Sequence, residues 1–335
     1  MKMFNKSRIA WTISALFMVA VTSCSKEEPA EQSPSPSAGQ ILFTGEQAGL
    51  TVKSALIPNN SDFVADAGST LKTTLHGYET WWELTDMTGI YSEEARTAAT
   101  AGSRVVNHQY IPDIAAASTP FTAVPTVMYW GAASSPHHFY AYYPYSNGNP
   151  EAATVPVALL STQEQLAAND YTHIGALDFL VATPITVDSP AAAGQTTHPT
   201  VHLVYNHLFT IVEFDIKGSG ALNGIQLRGT ALALAGAFID ITQATPASGV
   251  AYALAGSGGT KAGAVIVNLP ATSLSTITAT KVYMVIYPGF AGTCEIDFTK
   301  DGGTTWKNTV SKVAPDLGGF KRGQYYTVSV DAGAL

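Results

Sequence analysis

Cysteine, charge and basic residues are all in short supply in this chain, and each shortage removes a class of protein. The 335 residues contain two cysteines, Cys24 and Cys294, too few for a disulfide framework. Only 13% of residues are charged while 46% are hydrophobic. That balance leaves disorder aside and suits sheets packed face to face. Lysine and arginine total 17 against 25 acidic residues, for a formal charge of −8. A protein of that sign is not steered to nucleic acid or to anionic lipid.

Catalytic signatures are missing too. The chain has no HExxH, CxxC, GxSxG or P-loop run, and no GxGxxG opening a helix. His137 and His138 are adjacent, so on a strand they point to opposite faces. His202 and His207 stand five apart across an expected bend. Neither pair has a carboxylate at metal-ligand spacing. Carboxylates are plentiful, but no local pattern singles one out. The reading is a non-enzymatic chain without cofactor, metal site or catalytic residue.

What is present begins with a leader. Met1–Arg8 is basic, and Ile9–Val21 is an apolar run of 13 residues broken only by Thr12 and Ser14. Such a run is too short to span a bilayer as a helix and fits a signal-peptide core. Thr22-Ser23-Cys24 follows in the manner of a bacterial lipobox. Cys24 is therefore expected to carry lipid as the first mature residue, with 1–23 removed. Removal takes away Lys2, Lys6 and Arg8 and no acid, leaving 14 basic against 25 acidic residues, or −11. Residues 24–39 are polar and Pro-rich and read as a flexible tether. Lys26-Glu27-Glu28 resembles the signal that sends Bacteroidetes lipoproteins to the outer leaflet of the outer membrane.

The rest is too long for one ordinary core, so two domains are expected, 40–199 and 200–335. The boundary falls beside Thr200–Gly218. There Val201, Leu203 and Tyr205 alternate with His202, Val204 and Asn206, whereas beyond His207 the apolar face shifts to Leu208, Val212, Phe214 and Ile216. A change of phase inside one run requires a break near Asn206–Leu208. Within the first domain Ile41–Phe43, Val105–Ile111, Thr126–Trp130 and Leu177–Ala182 read as strands. Ser92–Ala101 reads as helical, Ser161–Asn169 as a loop or single turn, and Thr183–Pro199 as a linker. His138–Tyr145 carries five aromatics in eight residues and reads as a strand covered on both faces. A sugar-binding platform is the other meaning of such a tract.

In the second domain short strands follow one another to the end. Lys281–Pro288 is apolar on both rows and expected to be central, and Cys294 alternates with Ile296 and Phe298 as a small buried hydrophobe. Thr299–Trp306 matches the Asp-box pattern Ser/Thr-x-Asp-x-Gly-x-x-Trp, but once only. A hairpin turn with Asp301 on backbone amides is therefore expected, rather than a propeller blade. The closing strand sends Tyr326, Val328 and Val330 inward and Tyr325, Thr327 and Ser329 outward.

Several landmarks, taken in order, resemble the fimbrillin family of Bacteroidetes lipoprotein pilins. They are the lipobox at Cys24, the tract Trp82-x-x-x-Asp86-x-x-Gly89-Ile90-Tyr91, and Ala141–Tyr145. Asp178–Ala182, Tyr205-Asn206-His207-Leu208 and Gly323–Val328 complete the series. The resemblance implies an all-β fold of two tandem transthyretin-like β-sandwich domains and a surface pilus assembled with other pilin subunits, identical or paralogous. It covers stalk, anchor and tip subunits alike, and for a tip it adds a ligand on a host or bacterial surface. It also implies proteolytic removal of the first mature strand and filling of the gap by a strand from the next subunit. Mapped here, Ile41, Leu42 and Phe43 belong to the displaced strand, and Lys53 is the best-placed basic residue for the cut. The family's usual arginine is absent between Arg8 and Arg96. Tyr326, Val328 and Val330 mark the candidate donor strand. The competing reading is a surface glycan-binding lipoprotein that uses the aromatic tract with Trp81 and Trp82.

Overall fold

A computed structural model describes residues 39–48, 62–65, 74–76, 79–99, 102–190, 198–256, 259–315 and 318–335. The leader, Cys24, the tether up to residue 38 and Lys53 lie outside the described residues. The chain opens with strand β1 (Leu42–Gln47). Four further strands of the same sheet are β2 (Thr88–Arg96), β3 (Arg104–Pro112), β4 (Ser118–Val124) and β5 (Pro136–Tyr143). The chain then crosses to a second body to deposit β6 (Val155–Leu159) and β7 (Thr162–Glu164). It returns through the single-turn helix α1 (His173–Leu177) for β8 (Leu180–Ala182), β9 (Ile185–Asp188) and β10 (Thr200–His207). The main strands of the second body that follow are β11 (Thr210–Ser219), β12 (Ala221–Ile239), β13 (Thr260–Ser273), β14 (Thr280–Ile286), β15 (Thr293–Thr299), β16 (Lys307–Val313) and β17 (Tyr325–Ala334), and the short pair Leu254–Ala255 adds to β12.

The fold is all-β, as the alternation predicts. In the first body the pairing runs β1-β4-β3-β2-β5-β8-β10 and back to β1, so the sheet closes into a ring, and β9 adds to β5. The β1–β10 contact is parallel; every other neighbour in the ring is antiparallel. Inside lies a core that includes Ile41, Phe43, Trp82, Tyr110, Phe139, Leu203 and Tyr205. The second body stacks the sheet β14-β11-β17 on the sheet β7-β13-β12-β15-β16. Their shared core holds Val212, Phe214, Met284, Cys294, Ile296, Phe298, Tyr326, Val328 and Val330. A third apolar cluster joins the two bodies, with Tyr142 and Phe179 on one side and Ile211, Tyr283 and Tyr325 on the other.

The phase change takes its expected place. Val201, Leu203 and Tyr205 fill the ring, the strand breaks at Leu208–Phe209, and Val212, Phe214 and Ile216 fill the second core. The sheets pass across the 199/200 boundary: Thr200–His207 pairs within the first, and Val155–Leu159 and Thr162–Glu164 pair within the second.

Four local expectations are corrected. Of Ser92–Ala101, read as helical, the described residues 92–99 are not helical; the first five finish β2, where Ala95 is fully buried. Glu94 accepts the His138 backbone N–H at 3.1 Å, which ties β2 to β5. That long-range lattice outweighs a weak local propensity. Thr126–Trp130 is not a strand. It crosses strand ends, and its Met128 carbonyl accepts Ile41 N–H at 2.8 Å while Tyr129 and Arg96 exchange backbone bonds at 2.9 Å. The run Thr183–Pro199, read as a linker, contains β9. Lys281–Ile286 is an edge strand rather than a central one, because its two covered faces come from stacked layers and not from two strand neighbours.

What seals that edge is Ser161–Asn169, which is not the expected loop or single turn but carries β7 at Thr162–Glu164. Gln163 accepts Val285 N–H at 2.9 Å and donates to its carbonyl at 2.6 Å. Gln165 does the same for Tyr283 N–H and the Lys281 carbonyl, at 2.9 and 3.0 Å. Asn169 takes Lys281 N–H at 2.8 Å. Side-chain amides thus replace a neighbouring strand and blunt the edge against pairing with another chain.

Candidate functional site: the seat of the first strand

The alternation of β1 decides how it is held. Ile41, Phe43, Gly45 and Gln47 face inward and are buried; Leu42, Thr44 and Glu46 face outward. Parallel pairing with β10 runs from Leu42–Thr200 to Gln47–Tyr205, and antiparallel pairing with β4 from Phe43–Phe121 to Glu46–Ser118. Backbone bonds extend the hold at both ends: Gln47 N–H reaches Ala117 O at 3.2 Å and Ala48 N–H reaches Tyr205 O at 2.7 Å. On the outer face His202 shares hydrogen bonds with Thr44 Oγ1 at 2.8 Å and with Glu46 Oε2 at 3.1 Å. Inside, the Phe43 ring stands edge-on to Tyr110 and Phe139, with centroids 5.0 and 5.4 Å away. Among the described residues of β1, Gln47 is ill-matched: neither atom of its buried amide has a hydrogen-bond partner.

The motif residues converge on the same core. Trp82 is fully buried, edge-on to Phe121, Tyr143 and Tyr205 at 5.2, 5.8 and 4.9 Å. Asp86 closes the turn at Glu83 by accepting its N–H at 2.8 Å and receives the Tyr143 hydroxyl at 2.9 Å. Burial and the Asp86 carboxylate both push the Tyr143 hydroxyl well above the usual phenol range. Gly89 is required for space, since a Cβ there would strike Asn107 Oδ1 and the Tyr142 ring. Thr88 donates to the Tyr142 carbonyl at 2.8 Å and shares a 2.7 Å bond with Tyr205. His207 Nδ1 lies 2.9 Å from Asp178 Oδ2, both side chains buried, and Leu208 N–H donates to Phe179 O at 2.8 Å.

Of the residues singled out in the sequence, Ile41, Leu42 and Phe43 belong to this seat, while Tyr326, Val328 and Val330 fill the other core. The candidate donor is thus a working strand of its own sandwich, paired with β11 in parallel, and among the described residues Val64–Ala65 pairs with its outer edge at Tyr326–Thr327. In the aromatic tract Phe139, Tyr142 and Tyr143 are buried core, as is Trp82, whereas Tyr140, Tyr145 and Trp81 are half-buried. The Asp-box is a hairpin turn between β15 and β16, with Asp301 Oδ1 accepting Thr305 N–H at 2.8 Å and Gly302 and Gly303 at positive φ. Burial pushes the Cys294 thiol up to about 12, which suits packing and not nucleophilic chemistry. Among the described residues no three His, Cys, Asp or Glu side chains form a metal-sized group.

Sequence reasoning missed the glutamine edge seal, Gly45 and the His202 bridge. Only Gln163 and Gln165, two apart and so on one face, carried a usable signal.

A family model described as fimbrillin-like matches residues 70–334. Among curated proteins none matches. Solved structures similar to this chain include a candidate cell adhesion protein from Bacteroides uniformis, at 16% identity and TM-score 0.49 over 88% of this chain and 93% of that one. A fimbrial protein from Bacteroides ovatus matches at 11% identity and TM-score 0.42 over 90% of this chain and 50% of that one. A fimbrial assembly protein from Parabacteroides distasonis matches at 9% and TM-score 0.37 over 87% and 90%.

Proposed function

The chain belongs to the fimbrillin-like family, and on that premise we propose that it is a structural, non-enzymatic subunit of a cell-surface pilus. It is exported as a lipoprotein, anchored to the outer membrane through lipid on Cys24, and assembled by strand exchange with other pilin subunits. The observation that carries this reading is the seat of β1. An N-terminal strand that fills the middle of a closed ring, with partners on both sides, leaves a continuous groove when it is withdrawn. The vacated groove would expose the unpaired edges of β10 and β4 and the inner faces of Tyr110 and Phe139. A strand supplied by a neighbour covers both at once.

Cleavage at Lys53 severs β1 from Phe63, which is itself fully buried in the second core, edge-on to Phe320 at 5.0 Å. The cut therefore frees the strand and leaves Phe63 attached to the second sandwich. The closing strand, with Tyr326, Val328 and Val330, is the donor to the next subunit. Donation requires it to leave its own core, and so is coupled to assembly.

The test is limited proteolysis of the purified precursor. The uncut chain should run as a monomer, and a cut near Lys53 with loss of the Ile41–Phe43 peptide should permit polymers visible by electron microscopy. Verified loss of the peptide with the protein still monomeric would overturn the strand-exchange reading.

A further inference from the structure

The groove beneath β1 is not uniform along its length. Its first two inward positions accept Ile41 and Phe43, two bulky apolar side chains buried to 1% and 2% exposure. The third is Gly45. A Cβ built on Gly45 would fall on the Cε2 and Cζ atoms of Phe121. That ring is not free to swing away. It is wedged edge-on against Trp82 at 5.2 Å and Tyr205 at 6.2 Å, and Trp82 is in turn held by Tyr143 at 5.8 Å. The space a third side chain would take is already filled by β4's own aromatic, and glycine is the residue that lets the two backbones pair over it.

We infer that this groove selects its incoming strand by a glycine. The partner it fits is an extended segment running parallel to Thr200–His207 and reading bulky apolar, any, bulky apolar, any, Gly. The inference rests on the strand-exchange reading and sharpens it, because it excludes one partner. Taken in the same direction as β1, the closing strand that puts Tyr326 and Val328 in the first two pockets puts Val330 against Phe121. Sliding it so that Gly333 meets Phe121 brings Ser329 and Asp331 into the two apolar pockets. The chain's own closing strand therefore does not suit its own kind of groove, and the acceptor end of this subunit is built for a paralogue rather than a second copy.

The test uses the full chain clipped near Lys53, with fluorescein-labelled peptides and binding read by anisotropy. The peptides are Ile41–Ala48 as it stands, the same with Gly45→Ala and Gly45→Val, and Tyr325–Asp331. Overpacking at a filled site predicts binding weaker by about 5- to 150-fold for the Ala peptide and more for the Val peptide. Tyr325–Asp331 should bind more weakly than the unaltered peptide. On a clipped Phe121→Leu acceptor the difference between Gly and Ala should shrink. Equal binding of the Gly, Ala and Val peptides, with the unaltered peptide bound, overturns the glycine rule and leaves strand exchange standing. If the unaltered peptide itself fails to bind a verified empty groove, strand exchange fails and takes this inference with it.

Discussion

Phe43→Ala is the perturbation that weighs most directly on the seat of the first strand. The side chain is 2% exposed, and its ring touches Tyr110 on β3 and Phe139 on β5. Removing a buried phenyl loses its transfer free energy and leaves a cavity that a closed sheet cannot collapse around, together costing about 3–5 kcal/mol. With a urea slope of about 2 kcal/mol per molar, the unfolding midpoint of the first sandwich should fall by about 1.5–2.5 M. The neighbouring Leu42 faces outward and is only half-buried, so Leu42→Ala should cost no more than about 1 kcal/mol. The same energy governs retention of the strand after clipping. A loss of 3–5 kcal/mol is about 150- to 5,000-fold in the affinity of the cleaved peptide for its groove. Tryptophan fluorescence against urea gives the first quantity and the dissociation of a labelled β1 peptide the second. Midpoints for Phe43→Ala and Leu42→Ala that agree within 0.5 M of each other, about a quarter of the calculated shift, would refute the claim that β1 is seated through Phe43. So would peptide release as slow as in the unaltered chain.

Three other outcomes follow from single groups. Gln47→Leu removes a buried amide without partners and should raise stability by about 1–2 kcal/mol while slowing loss of β1, read by the same two assays; a destabilised variant would contradict the unpaired amide. Cys294, whose thiol burial pushes up to about 12, should not react with a thiol reagent at pH 8 in the native protein and should react fully in guanidinium. Asp297 is raised by burial but lowered more by hydrogen bonds from Arg228 Nε at 2.5 Å and Thr309 Oγ1 at 2.6 Å, leaving it below the ordinary carboxylate range. A depressed folded value means stabilisation that is complete above the unfolded value near pH 4 and is lost as pH falls through the folded one. Asp297→Asn should therefore cost about 1–3 kcal/mol at pH 7, with the gap to the unaltered protein closing as the pH is taken from 4 toward 2.

Strands whose alternation meets one covered face were legible in the sequence. Val201, Leu203 and Tyr205 enter one core and Val212, Phe214 and Ile216 another, and the break between them follows from parity alone. Cys294 and the inward row Tyr326, Val328 and Val330 are read by the same rule, whereas Tyr325, expected outward, is buried in the third cluster. What failed was what only the far side of the fold decides. Ser92–Arg96 has helical-looking composition, yet Ala95 is placed by β3 and β5, which arrive from up to about fifty residues away in sequence. Thr126–Trp130 is read as a strand but makes isolated bridges from Tyr129 to Gln40 and Arg96. Lys281–Ile286 is apolar on both rows because it lies between two stacked layers, and periodicity does not distinguish that from having two strand neighbours.

The motifs show the same division between what a sequence says and where it says it. Trp82, Asp86, Gly89, Tyr143, Asp178, Tyr205 and His207 lie up to 125 positions apart, and no two of them make a chemical pattern locally. In the fold they form a contiguous frame around the path of β1: Trp82 supports Phe121 and Tyr205, Asp86 fixes Tyr143, and Asp178 fixes His207 at the end of β10. Tyr205 lies on one strand that flanks β1 and Phe121 on the other. Residues that do no chemistry but hold open a slot for a ribbon are what a subunit joined by an exchanged strand requires. If strands are exchanged as proposed, the frame must keep its shape during the interval between departure of β1 and arrival of its replacement. A frame that instead collapsed on loss of β1 would bury Tyr110 and Phe139 against each other, and the clipped protein would then resist every peptide.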